Sequence, residues 1–301
     1  MPNFISEDDI EVAMVQRLQH VYGYDTLNCF TTDPADLDDG SGRTDKRDVI
    51  LHDRLKEAAI ALNPGIPESA IEDALKQLCD KRQAMSSIVA NREVDALIRD
   101  GVRVEFKDEQ GRKRKERIKV IDFDDPASPH NQFLAVTQLW IQSTGAAAKA
   151  GYRRPDILLY INGLPLVFIE LKNSNVKLRT AYDDNLTNYK AEIPQLFLTN
   201  ALCVFSNGIE TRVGSMTAEW EHFFHWLRPN DEKEKIRREQ IREDGTSAER
   251  FLAGLCPKDK LLDYLENFVL YHKDTQKIIA QNHQFIGVNE GFDKFLRREE
   301  F

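Results

Sequence analysis

The sequence predicts an α/β fold in layers, a mixed central sheet flanked by helices, with an α+β arrangement of the same elements as the neighbouring option. Strand-like runs such as VRVEFK, FLAVTQLWIQ, LPLVFIELK and ALCVFSNG are interspersed with stretches whose apolar residues recur at helical spacing. A chain of 301 residues, 41% hydrophobic and 30% charged, can bury the core of one large domain, or of one domain with a substantial appendix. No apolar run reaches the roughly 18 residues that a membrane span needs.

In chain order, Ser6 reads as an N-cap ahead of acidic Glu7, Asp8 and Asp9, and Ile10, Met14, Leu18 and Val21 follow at helical spacing. They predict a helix over 7–22. From there to Lys46 the chain is rich in Asp, Gly, Thr and Pro, a long surface loop. Two helices follow, near 48–62 and, after Pro64-Gly65-Ile66-Pro67, near 68–83. The run VRVEFKDEQGRKRKERIKVIDF is a β-hairpin turning at 108–111, and FDDPASPHNQ leads into a third strand over 133–142. A second hairpin turns at Asn162-Gly163, a helix covers 180–193, and 201–208 is a further buried strand. From about Glu219 the composition changes. EWEHFFHWL closes the compact part, DEKEKIRREQIRED is a charged helix or linker, and 260–281 is an amphipathic helix carrying Leu261, Leu262, Leu265, Phe268 and Val269. A boundary near 230 therefore separates a domain over 1–230 from a charged helical segment over 231–301. No internal repeat occurs.

The net charge of −9 argues against a simple basic nucleic-acid binder, since non-specific affinity comes from neutralising phosphates. Charge is uneven, however. TTDPADLDDGSG is acidic, whereas Arg112 to Lys119 is strongly basic, either a solvated hairpin strand or a phosphate-contacting patch. Cys29, Cys79, Cys203 and Cys256 lie far apart without a C-x-x-C pair and read as buried thiols in a reducing compartment. The N-terminus lacks the basic-then-apolar pattern of a secretory signal, so the expected location is the cytoplasm, off the membrane.

The tripeptide E-x-K occurs twice, and its contexts differ. In VRVEFK, Arg103, Glu105 and Lys107 alternate with Val102, Val104 and Phe106, as in a half-exposed strand. In LPLVFIELK both parities are apolar through Ile169, as in a strand covered on both faces, and then Glu170 and Lys172 appear on one face. Charges entering a buried strand need a partner or a function. A strict two-residue turn at Asn162-Gly163 would pair Asp156 with Ile169 and put Asp156 and Glu170 on opposite faces. A three-residue connection, a bulge in the turn or a kink beside Pro155 would set Asp156 opposite Glu170, with their Cβ atoms roughly 5 Å apart. Two carboxylates so close repel unless a cation bridges them, which suits a Mg²⁺-type oxygen site, and the lysine could orient or help deprotonate a water while the metal stabilises charge on a phosphate, as in phosphodiester hydrolysis. A buried carboxylate–lysine ion pair is the structural alternative.

Pro155-Asp156, thirteen intervening residues and then Glu170-Leu171-Lys172 resemble the PD-(D/E)xK nuclease motif. The wider run RPDILLYINGLPLVFIELK, with AYDDNLTNYKAEIPQLF and VFSNGIETRVGS, resembles the N-terminal nuclease region of the restriction (motor) subunit of type I restriction enzymes. The likeness extends to VIDFDDPASPHNQFLAVTQ and KIIAQNHQFIGVN, most of residues 90–290. It implies a restriction-endonuclease-like core over 1–230 and a Mg²⁺-dependent endonuclease acting on double-stranded DNA. Asp156 and Glu170 would be its metal ligands and Lys172 its catalytic lysine. Glu11 matches the acidic residue placed beside the metal in such nucleases, a solvated helix-face glutamate being the other reading. The family's Q-x-x-x-Y element corresponds to Asn185 and Tyr189, with asparagine where glutamine is usual and a shorter amide to reach its partner. The resemblance further implies fusion to an ATP-driven DNA translocase, and partner specificity and methyltransferase subunits that read and methylate the target.

No G-x-x-x-x-G-K-[ST] occurs, so ATP is expected to serve the longer subunit and not to bind these residues. The 231–301 segment then reads as the lead-in to a motor. His222 and His225 lack the i, i+4 spacing of a zinc helix. The rival readings are a non-catalytic DNA-binding or assembly module with a decayed nuclease fold, and a stand-alone DNA repair exonuclease.

Overall fold

A computed structural model describes residues 5–145, 151–231 and 246–299. Ser6 and Asp9 close a capping box, each side chain taking the other's backbone N–H, and start α1 (Glu7–His20), which buries Ile10, Met14 and Leu18. β1 (Asp25–Asn28) is a four-residue strand inside the predicted loop. The rest of that loop is anchored by buried Asp39, which accepts from Arg43 at 2.8 Å and Lys46 at 2.7 Å.

α2 (His52–Leu62) begins later than predicted, because the Leu51 N–H is committed to the Gly163 carbonyl at 2.9 Å. α3 (Glu68–Leu78) ends short of 83, where the Arg82 guanidinium folds back onto the carbonyls of Gln77 and Leu78. α4 (Ser87–Asp100), absent from the sequence reading, buries Ala90, Val94 and Ile98 on a narrow stripe between charged residues.

β2 (Val102–Lys107) and β3 (Lys113–Ile118) form the predicted hairpin, and the basic run on β3 is exposed from Lys113 to Arg117. The predicted 133–142 strand divides into β4 (Phe133–Thr137) and β5 (Ile141–Gln142), broken at Gln138, which takes φ 57°. β6 (Tyr152–Arg153), β7 (Ile157–Ile161) and β8 (Leu164–Leu171) follow. The predicted 180–193 helix is α5 (Leu178–Thr180) running through a π-helical turn, Ala181–Leu186, into α6 (Thr187–Glu192). β9 (Leu202–Ser206), β10 (Thr211–Gly214) and β11 (Phe224–His225) complete the sheet strands.

The later residues depart most from expectation. α7 (Ser247–Leu255) and α8 (Lys258–Asn267) are followed by β12 (Val269–His272) and β13 (Gln276–Ile279), then α9 (Asn282–Glu299). The single helix expected over 260–281 is therefore wrong beyond Asn267. Lys273 and Asp274 both take positive φ and turn two β-branched and aromatic runs onto each other. Phe251, Leu255, Leu261, Leu265, Phe285 and Ile286 share one apolar cluster with Leu18 and Val204. The charged stretch over 231–244 lies outside the described residues, apart from Asp231. Cys79 is half-buried, and the other three thiols are buried.

The central sheet is mixed, in the order β1-β4-β7-β8-β9-β10-β11, with β1/β4 and β8/β9 parallel and the other pairs antiparallel. Helices cover it, as in a restriction-endonuclease-like fold. Among the described residues no helix is long and apolar enough to cross a membrane.

The sheet's two faces enter two apolar clusters, so each residue's parity can be followed. On β7, Ile157, Leu159 and Ile161 join one cluster, while Leu158 and Tyr160 join the other. On β8, Leu164, Leu166, Val167, Ile169 and Leu171 lie with the first cluster and Phe168 with the second. Consecutive residues Leu166 and Val167 thus share a face. The register shows why: Tyr160 pairs with Pro165 but Leu159 pairs with Val167, leaving Leu166 as the extra residue of a β-bulge.

Candidate active site

Asn162 and Gly163 take φ 50° and 77°, the two-residue type I′ turn, so the irregularity that could bring the carboxylates together is not in the turn. Gly163 is required there. A Cβ at that position would lie 2.4 Å from the Leu51 carbonyl oxygen. The extra residue sits three positions later, at Leu166, beside a proline that has no N–H for the ladder. Its carbonyl accepts the Ala201 N–H at 2.7 Å instead. Beyond the bulge, Ile157 pairs with Ile169, so Asp156 at the mouth of β7 falls opposite Glu170. One inserted residue has moved Glu170 and Lys172 to the face of Asp156.

The hydrogen bonds close around this point. The Leu171 N–H donates to Asp156 Oδ2 at 2.6 Å. Lys172 Nζ donates to the Leu171 carbonyl at 2.8 Å and to Glu170 Oε1 at 3.3 Å. The amide of Asn185 also donates to Glu170 Oε1. Its shorter side chain does reach, from a π-helical turn of the kind that re-aims side chains at functional sites. Tyr189 donates its hydroxyl to the Arg154 carbonyl at 3.4 Å and packs edge-on against Phe168. On α1, Glu11 accepts from the Gln138 amide at 2.5 Å.

All six sequence-predicted residues, Glu11, Asp156, Glu170, Lys172, Asn185 and Tyr189, therefore converge at one end of the central strands. Two others were missed. Gln138 follows β4 in a left-handed conformation without the Gly or Asn that would have flagged it. Glu7 exchanges bonds with Asn173, its N–H donating to Asn173 Oδ1 at 3.0 Å and its carboxylate accepting the Asn173 N–H at 3.3 Å. Acidic residues in a first helical turn read as dipole partners, which hides such a contact.

Burial pushes all three carboxyls toward their protonated forms. Asp156 is raised to about 6, mainly by burial and against the opposing Leu171 N–H. Glu11 is raised to about 7 by burial, with Asp156 adding to it and Gln138 opposing. Glu170 stands well above the usual range, first from burial and then from the neighbouring Asp156 charge.

Glu170 Oε2 is buried and has no hydrogen-bond partner. The Glu170–Lys172 pair satisfies only Oε1, so an ion pair does not account for the whole group. Among the described residues no set of three or more His, Cys, Asp or Glu side chains is grouped to hold a metal. A pair of carboxylates with one orphaned oxygen suits Mg²⁺, a hard ion commonly held by one or two carboxylates plus water and phosphate oxygens. His225 lies 3.5 Å from Glu210, apart from this site.

The family described as "Type I restriction enzyme R protein N terminus" matches residues 4–222. Over 305 aligned residues the chain is 37% identical to the type I restriction enzyme HindI endonuclease subunit of Haemophilus influenzae, covering 97% of this chain and 27% of that protein. It is 31% identical over 300 residues to the putative type I restriction enzyme MjaIXP endonuclease subunit of Methanocaldococcus jannaschii, covering 96% and 27% respectively. The chain thus spans about a quarter of the length of these relatives.

Proposed function

The chain belongs to the family of type I restriction enzyme R protein N termini, and from that premise we propose that it is a Mg²⁺-dependent endonuclease region that hydrolyses DNA phosphodiester bonds. The observation that carries this reading is the bulge at Leu166, which sets Asp156, Glu170 and Lys172 on one face at the end of buried strands. Asp156 and Glu170 would hold the ion. When bound, Mg²⁺ would supply positive charge against the phosphate and favour ionised carboxylates.

The chain's own residues have separable tasks. Asp156 is fixed by the Leu171 N–H, and Glu170 is oriented by Asn185. The Lys172 ammonium, held by the Leu171 carbonyl, would orient the attacking water and place positive charge beside the developing negative charge on phosphate. Tyr189 steadies the backbone just ahead of Asp156. Glu11, held by the Gln138 amide, adds negative charge near Asp156 without joining the pair that would hold the ion. In the longer subunit this region would act with an ATP-driven translocase and with specificity and methyltransferase partners, and its DNA contacts would be mainly to backbone.

The direct Glu170–Lys172 contact favours a second reading, a non-catalytic module whose charges are merely paired. Cleavage of duplex DNA by the assembled restriction complex separates the two. On the nuclease reading, Glu170→Ala and Lys172→Ala each abolish cutting while ATP-driven translocation continues. Cutting at an unaltered rate by either variant rejects that reading.

A further inference from the structure

Two consecutive arginines precede the Pro-Asp pair, and their surroundings differ. Arg153 is neutralised: its guanidinium holds both carboxylate oxygens of Glu192, at 2.5 and 2.6 Å. Arg154 has no such partner. Among the described residues its guanidinium makes no ion pair and no hydrogen bond to a protein acceptor. Its centre lies 4.8 Å from the ring centroid of Trp140 and 5.6 Å from that of Phe30.

The aromatic setting is built. The Trp140 indole N–H donates to the Thr31 carbonyl at 3.1 Å, fixing that ring, while Phe30 is 56% exposed. Stacking on an aromatic face occupies a guanidinium's flat surface and leaves its N–H groups free at the edge. Those donors match the geometry of a phosphate or carboxylate. Arg154 is also two residues before Asp156, separated from it only by Pro155. Its positive charge is felt at Glu11, Asp156 and Tyr189.

We propose that Arg154, held against Trp140 and Phe30, binds a backbone phosphate of the DNA and sets that strand against Asp156 and Glu170. The inference rests on the nuclease reading and adds to it a substrate-binding residue outside the carboxylate–lysine motif. A lysine could supply the charge but not the stacked, edge-on donors. Compensation of the nearby carboxylates is the structural role that Arg154 could have instead, and it makes no use of free donors.

The salt dependence of DNA binding distinguishes the two. A fluorescent duplex is titrated with the full chain in EDTA, so nothing is cut, over a range of salt concentrations. Each lost phosphate contact reduces the slope of log affinity against log salt by about 0.9. Arg154→Gln is expected to show a slope shallower by that amount and a melting temperature near the unaltered chain's. Arg154→Lys should keep the slope with weaker binding, and Trp140→Leu should weaken binding at constant slope. An unchanged slope in folded Arg154→Gln overturns the proposal, as does undetectable binding by the unaltered chain at low salt. If Arg154→Gln does not fold, unchanged affinity in both Arg154→Lys and Trp140→Leu overturns it. Glu170→Ala, assayed for cutting in the complex, keeps the two ideas apart. Loss of cutting there with an unchanged Arg154→Gln slope removes only the arginine proposal, and continued cutting removes the nuclease reading.

Discussion

Glu105-Phe106-Lys107 and Glu170-Leu171-Lys172 share a tripeptide pattern on β-strands. On β2, Glu105 points to solvent and reaches Lys115 across the hairpin at 2.7 Å, with both side chains more than half exposed. On β8, Glu170 is 2% exposed, faces Asp156, and leaves one oxygen without a partner. Water can solvate the first pair whatever its neighbours do, whereas the second must find compensation from the protein or from a bound ion. The difference arises from position in the sheet and from one extra residue at Leu166, not from the tripeptide.

The largest contrast is in cleavage. Glu170→Ala and Lys172→Ala should lower it by on the order of 10³-fold or more, while Glu105→Ala and Lys107→Ala stay close to the unaltered rate. Loss of cutting in the β2 variants would invert the comparison.

Next in size is the pH dependence of metal-free stability, followed by chemical denaturation. Burial raises Asp156 to about 6 in the folded chain, above the usual carboxylate range. Its contribution to stability is fully present below the unfolded value and is lost as pH rises through about 6, because the folded state binds the proton more tightly. The shift corresponds to on the order of 2 to 3 kcal/mol. Asp156→Asn should flatten that part of the profile, and saturating Mg²⁺ should reverse it by favouring the ionised form.

Gly163→Ala tests the turn that feeds β8. Its positive φ and the clash with the Leu51 carbonyl should cost about 1 to 3 kcal/mol in the same unfolding measurement. Full stability would show that the turn tolerates a side chain. Asn185→Ala should reduce cleavage about tenfold, as loss of an orienting contact to a ligand does. Tyr189→Phe, which removes a 3.4 Å hydroxyl contact, should do less. The smallest effect belongs to the exposed pair: a double-mutant cycle on Glu105 and Lys115 should give less than about 1 kcal/mol.

Much of this site was legible in the residues themselves. Continuous apolar parity marked β8 as covered on both faces, and the charges at its end stood out against it. Asn162-Gly163 located the hairpin. The bulge was not legible, because Leu166 and Val167 are both apolar and either could face either cluster. Pro165 is the one local hint, since it cannot donate to the ladder. Gln138 carried no turn signature, and α4 was hidden by charges flanking a narrow apolar stripe. The β12–β13 hairpin was misread as helix because Leu261, Leu262 and Leu265 give a helical period that ends at Asn267, just before the strand residues begin. The Asn185 contact depends on a π-helical turn, which a spacing of four along an ordinary helix does not reveal.

The most direct test of the register shift and its purpose is a crystal of the chain soaked in Mn²⁺, with anomalous scattering locating the ion. The expected result is a single strong peak between the carboxylates of Asp156 and Glu170, within coordination distance of both and absent in Asp156→Asn. A map from a saturating soak with no peak there, or with Asp156 and Glu170 on opposite faces of the sheet, would contradict it.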